Sequence, residues 1–285
     1  YIIGCNSKYL SKDINDEFKD RGTEINIRPL SFSEFYPAYK GEKKDALNYY
    51  LVYGGMPGLF EEPNDLAKKE YLDRLMKKVY IDDIRKNINT GLIDELSATV
   101  DALCSVTGNL TNPLNITHYL KSNKNIKIDN ETVYSYLEKL QKAYILHKCF
   151  RYDLQGKDIL KTQEKFYLAD VSLRYSVLGY TVDSVAASLE NIVYLELKRR
   201  GYDVYIGKIK DKEIDFVATK QNEKIYVQVT QEIKSEKTQK REYEQLLEIR
   251  DNYPKYVVMA DDFAGGNYEG IKTMNIVDFL LSKEY

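Results

Sequence analysis

The sequence contains no tryptophan, and only three cysteines and six prolines among 285 residues. Cys5, Cys104 and Cys149 lie far apart and fit no metal-ligand spacing, which excludes a zinc ribbon or a disulfide framework. Scattered thiols of this kind suit buried positions in a reducing, cytoplasmic setting. No apolar run approaches the ~18 residues that a membrane-spanning helix needs, and no secretory leader pattern opens the sequence. The reading is therefore of a cytoplasmic chain without a membrane partner. The formal net charge is only −2, which removes any global electrostatic case for nucleic-acid binding. The two histidines, His118 and His147, stand apart without a partner motif and suggest no histidine-based centre.

What is present divides into three stretches of different rhythm, and the fold class expected is α/β, as a multi-domain α+β chain. Residues 1–90 begin with the apolar run Tyr1-Ile2-Ile3, which ends at the polar tip Gly4-Cys5-Asn6-Ser7. Because this strand-like run has no Met before it, the sequence reads as a fragment of a longer protein. Residues 24–30 alternate polar and apolar at period two, as a strand does. Ser31 and Glu34 have capping-box spacing at the start of a helix. A helix over 45–52 should end at Gly54-Gly55-Met56-Pro57-Gly58, and residues 65–85 read as a long helix with Leu72, Leu75, Met76 and Val79 on one stripe.

Residues 91–183 predict three helices, over 93–107, 115–121 and 131–143, the last capped by Asp129. Two β-like runs follow, 145–152 and 159–168, joined by a polar turn. Three helices and a hairpin make a winged helix-turn-helix. Residues 184–285 predict the order αβββαββα, of which the first six elements form an αβββαβ unit.

Several motifs resemble known families. Asn6 matches the sensor-1 position of AAA+ ATPases. Arg28-Pro29-Leu30-Ser31-Phe32-Ser33-Glu34-Phe35 resembles their "R…PLSFxEF" stretch, and Gly54-Gly55-Met56-Pro57 resembles the "GGxP" of the helical lid. The pair is similar to bacterial and archaeal AAA+ ATPases that carry a C-terminal domain of unknown function. The resemblance implies that residues 1–90 are the C-terminal remnant of the ATPase core with its lid. It implies Arg21 as an arginine finger acting on a neighbouring copy, and ATP with Mg²⁺ as cofactors of a full-length protein. No G-x-x-x-x-G-K-[ST] occurs in the sequence, so this fragment is expected to carry no cofactor.

In a winged helix the third helix enters the major groove while the wing touches backbone. Lys139 and Lys142 on that helix, and Arg151, Lys157, Lys161 and Lys165 on the wing, are the candidate contacts to double-stranded DNA. Asp153, Asp158, Glu131 and Glu138 dilute the patch. Tyr134 and Tyr136 could stack on bases, although aromatics in a helix more often belong to a core.

The last stretch resembles the PD-(D/E)XK nuclease fold. There an Asp opens one strand, Glu-x-Lys lies in the next, and the carboxylates hold Mg²⁺. Asp215 supplies the Asp and Glu190 the accessory acid, but Gln228-Val229-Thr230 stands where Glu-x-Lys belongs. A neutral amide is a weak Mg²⁺ ligand and Thr supplies no cation. Gln228 and Thr230 should share a face. No residue is assigned as a metal ligand. The site therefore reads as degenerate, with Glu213 compensating in part and no evident substitute for the Lys. The resulting expectation is the C-terminal portion of an AAA+-type ATPase that binds nucleic acid and carries a non-cutting nuclease-like domain. The alternatives are a protein-interaction or regulatory ATPase module, and an active metal-dependent nuclease.

Overall fold

The computed structural model describes residues 25–76, 93–180, 184–233, 236–261 and 264–285. Asn6, Arg21 and the apolar run before Asn6 lie outside the described residues. Ten α-helices and eight strands are present among the described residues, giving a mixed α/β fold. The strands are β1 (Leu146–Asp153), β2 (Asp158–Leu168), β3 (Asp203–Ile209), β4 (Lys212–Lys220), β5 (Glu223–Thr230), β6 (Lys255–Met259), β7 (Asn267–Tyr268) and β8 (Ile271–Asn275). They form one sheet in the order β2-β1-β3-β4-β5-β6-β8-β7. Hairpins make β1–β2, β3–β4, β4–β5 and β7–β8 antiparallel, while β1–β3, β5–β6 and β6–β8 are parallel.

Both faces of the sheet centre are covered, so its strands read as continuous apolar runs. On one face lie helix α8 (Ser184–Arg199) and the short α10 (Ile276–Leu281). Leu189, Ile192, Val193 and Leu197 pack there against Phe216, Val227 and Val258. On the other face lies α9 (Glu236–Leu247), whose Tyr243 and Leu246 meet Ile214, Val217, Tyr226 and Val257. Residues 226–227 and 257–258 thus split between two cores by simple strand alternation. Burying a side chain such as Phe216 contributes about 1.5–3 kcal/mol.

The hairpin β1–β2 does not stand away from the sheet as an isolated wing, because its distal half runs parallel to β3, with Arg151 opposite Ile206 and Tyr152 opposite Gly207. The sheet therefore crosses residue 184, where the sequence rhythm changes. The near half of the hairpin packs on helices α4 (Ile93–Val106), α5 (Pro113–Lys124) and α6 (Asn130–Lys142) through Leu146, Phe166 and Leu168. Asn112 caps α5 and Asp129 caps α6 by accepting backbone N–H groups. A helix not anticipated from sequence, α7 (Ser172–Leu178), follows β2.

Helices α1 (Phe32–Phe35), α2 (Lys43–Tyr53) and α3 (Asp65–Arg74) close the N-terminal side. The capping box forms as its spacing predicts, the Ser31 N–H donating to the Glu34 carboxylate at 2.9 Å. Residues 25–30 form no regular element and bend at Pro29, so the expected strand over 24–30 is absent from its described part. Alternation marks a chain that could pair; here the backbone of Leu30 is taken by Gly55 instead. No helix among the described residues is long and apolar enough to cross a membrane.

Candidate functional site

Three acids meet where β4 passes α8. In the β3–β4 ladder the register slips between Tyr205 and Gly207, leaving Asp215 and Phe216 opposite the single Ile206. This bulge re-aims the strand next to the candidate site, as bulges often do. Glu190 comes from α8, next to Leu189 in the apolar stripe that docks this helix on the sheet. The sequence-derived pair of Asp215 and Glu190 is thereby brought together, with Glu213 beside them.

At the centre of the three lies a residue that the sequence placed elsewhere. The ammonium of Lys165 is 2.7 Å from Glu213, 2.9 Å from Glu190 and 3.9 Å from Asp215. Its side chain is 4% exposed. Lys165 had been expected on an outward wing surface, in contact with DNA. Strand alternation turns it the other way: Phe166 and Leu168 face the helical core, so Lys165 and Tyr167 face α8. Tyr167 completes the cluster, its hydroxyl donating to Glu190 at 2.5 Å.

Gln228 sits on β5 beside Asp215 and uses both ends of its amide. Its oxygen accepts the Asp215 N–H at 3.2 Å, and its nitrogen donates to Glu242 of α9 at 3.0 Å. Asp215 in turn accepts the Val229 N–H at 2.8 Å. Arg241 pairs with the other Glu242 oxygen at 2.6 Å. An open cleft of about 580 Å³ lies over this network, lined among others by Gln228, Thr230 and Arg241. Val227 and Val229 pack into the core with α8, so Gln228 and Thr230 share the other face, as period two requires.

The charges of the cluster are interdependent. Burial, reinforced by repulsion from Glu190, holds the Asp215 carboxyl well above the usual carboxylate range despite the opposing pull of Lys165. Burial also works against the Lys165 ammonium, but Glu190, Asp215 and Glu213 together outweigh it and keep the group above its ordinary value. Burial and Glu190 likewise hold the Tyr167 phenol well above its usual range, so Tyr167 acts as a donor. Among the described residues no group of three or more His, Cys, Asp or Glu side chains is placed to hold a metal ion.

The other basic residues separate. Lys142 and Lys157 are exposed and Lys139 is half-buried. Arg151 is half-buried and donates to Gln163 at 3.1 Å. The side chain of Lys161 lies outside the described residues. Tyr134 is 48% exposed, whereas Tyr136 is 1% exposed and belongs to the core. Sequence reasoning missed Lys121, Lys124 and Lys127, all exposed at the end of α5 and in the turn before α6. Their spacing around the corner between the two helices α5 and α6 was the available signal.

The two N-terminal motifs touch each other. Leu30 donates its N–H to the Gly55 carbonyl at 2.8 Å, and the Tyr50 hydroxyl donates to the Leu30 carbonyl at 2.7 Å. A Cβ on Gly55 would lie 2.0 Å from the Leu30 oxygen, so this approach requires glycine.

Comparison with known proteins adds kinship without assigning a role. Residues 44–184 match a family described as a domain of unknown function, DUF8612. The chain is 35% identical to an uncharacterized protein of Haemophilus influenzae, over 98% of this chain and 70% of that protein. It is 28% identical to the uncharacterized protein MJ1544 of Methanocaldococcus jannaschii, over 82% of this chain and 55% of that protein. The chain thus spans little more than half of the second relative.

Proposed function

Since this chain belongs to the family of the Haemophilus influenzae protein, whose name states no activity, we propose a function from the site itself: the C-terminal portion of an AAA+-type ATPase that binds nucleic acid without cutting it. The observation that carries nucleic-acid binding is the α5–α6 corner. Lys121, Lys124 and Lys127 are exposed there, followed by Lys142 on α6. Exposed lysines at such a corner supply the kind of phosphate contact that positions a protein on duplex DNA. Glu131, exposed on the first turn of α6, limits its strength.

The absence of cutting is supported by Gln228. A PD-(D/E)XK nuclease needs a carboxylate there to ligate Mg²⁺. The amide instead bridges Asp215 and Glu242 and brings no negative charge to the site. ATP and Mg²⁺ remain the cofactors that the AAA+ resemblance implies for a full-length protein, with Asn6 and Arg21 in the roles described above.

A second reading, a protein-docking module, is favoured by one observation. The hairpin offers few wing contacts, because Lys165 is buried and Arg151 is bonded to Gln163. A gel shift with duplex DNA at two salt concentrations separates the readings. Phosphate contacts make affinity fall steeply with salt, by about 0.9 log units per contact per log unit of salt. On the nucleic-acid reading, Lys124→Ala with Lys127→Ala lowers that slope. An absent shift at low salt would select the docking reading. Incubation with supercoiled DNA in Mg²⁺ or Mn²⁺ should leave it intact; cleavage lost in Asp215→Ala would overturn the non-cutting assignment.

A further inference from the structure

We infer that Lys165 is a built-in substitute for the divalent cation that a nuclease of this fold would hold, so that the acidic cluster is closed to metal. This rests on the nuclease-like reading of the C-terminal part. Mg²⁺ in such a site needs about six oxygens at about 2.1 Å in near-octahedral arrangement. The residues present do not fit that need. Glu190, Glu213 and Asp215 do converge on one point, but that point is the Lys165 Nζ, at 2.9, 2.7 and 3.9 Å. The two short separations are those of ammonium–carboxylate hydrogen bonds.

The remaining oxygens are largely committed. The Glu190 oxygen that accepts from Lys165 also accepts from Tyr167. Asp215 Oδ2 accepts the Val229 N–H, which leaves Oδ1 facing the ammonium. The next strand position that could add a carboxylate is Gln228, and its amide is occupied at both ends. While the ammonium holds that point, the three carboxylates have no vacancy to offer a metal ion.

A tethered cation differs from a bound one in two ways. It is always present, so the fold has no dependence on metal supply. It also joins three elements, because Lys165 belongs to β2, Glu190 to α8 and Glu213 to β4. Removing it leaves three partly or fully buried carboxyl groups facing one another with no counter-charge, and this destabilises a fold.

Thermal unfolding of the full chain tests the inference, with Lys165→Met as the neutral variant of similar length. Wild type should unfold within about 1 °C of the same midpoint in EDTA and in millimolar Mn²⁺, since a ligand that does not bind cannot stabilise. Lys165→Met should unfold about 10 °C lower in EDTA. It should then regain several degrees saturably as Mn²⁺ takes the vacated position. Saturable stabilisation of wild type by Mn²⁺ would overturn the inference, as would a folded Lys165→Met indifferent to Mn²⁺. Should Lys165→Met not fold, Lys165→Gln is read in the same way, and the wild-type titration decides by itself. A failed gel shift would leave these metal responses unchanged, and a metal-responsive wild type would leave the gel shift unchanged, so the two readings fail separately.

Discussion

The backbone N–H of Gly55 donates to the Asp170 carboxylate at 2.8 Å, across 115 residues of sequence. Asp170 is 2% exposed and accepts the Ser172 N–H as well, so it holds the glycine motif against the start of α7. Gly54 beside it has φ +66°, and a Cβ there would lie 1.8 Å from an Asp170 oxygen. Gly54→Ala should therefore cost more than about 2 kcal/mol, from left-handed backbone strain and a displaced acceptor. Asp170→Ala should cost a similar amount by orphaning two buried donors. Urea unfolding checks both, and a loss below about 0.5 kcal/mol for either would contradict the clasp.

His147 provides a pH test. Burial, aided by the positive charges of Arg28 and Lys198, lowers its pKa from 6.5 to about 4. The folded state thus favours neutral imidazole. The stability due to this neutral form is fully present above pH 6.5 and is lost as pH falls from there toward about 4. The stability difference between wild type and His147→Phe should change across that window and stay constant above it. Denaturant titrations at a series of pH values measure it; a difference that does not vary with pH between about 4 and 6.5 would contradict the burial described.

Gln228→Glu tests the amide bridge. The new carboxylate would face Glu242, which Gln228 now contacts at 3.0 Å, and it would lie near Asp215, whose N–H Gln228 now accepts. Like charges this close disfavour ionisation. The variant should be clearly less stable than wild type at pH 8, with the gap closing toward pH 5 as a proton is taken up. An equal gap at both pH values would mean that the amide is not engaged as described.

At the opposite end of the sheet Tyr285 stacks on Phe279 with ring centroids 4.2 Å apart, and the Arg200 guanidinium lies 4.0 Å over the Tyr285 ring. Tyr285→Ala should cost about 2 kcal/mol, combining lost aromatic burial with a lost cation–π contact. Tyr285→Phe should retain most of it, since the ring makes both contacts and only the 3.3 Å hydrogen bond from the hydroxyl to the Phe279 carbonyl is lost. Calorimetric midpoints of the two variants separate these outcomes.

Much of this fold is legible in the residues. The hairpin, the three central strands and the helix over 236–247 follow from period and turn chemistry, with ends displaced by a residue or a few. The pairing of Asp215 with Glu190 was also visible, because an acid on a buried strand and another on the helix before it had few other places to meet. Lys165 was not. Both faces of β2 are buried, so alternation alone does not say which face meets α8 and which meets the helices. The parallel pairing of β1 with β3 was equally hidden, since nothing local distinguishes an edge strand from one covered by a segment some fifty-five residues later. Residues 25–30 failed in the opposite direction: their alternation is real, but the partner that would make them a strand is missing from the described residues.

The pairing of Arg151 with Ile206 has a consequence for how the chain is made. A ribosome that has released the helices and the hairpin has not yet supplied β3, so the inner edge of β1 emerges with open backbone donors and acceptors. An open edge is a template for pairing with other chains. Closure waits until α8 and β3 follow, at a synthesis rate of about 5–20 residues per second. For those seconds the half-made protein carries an aggregation hazard that the finished sheet does not.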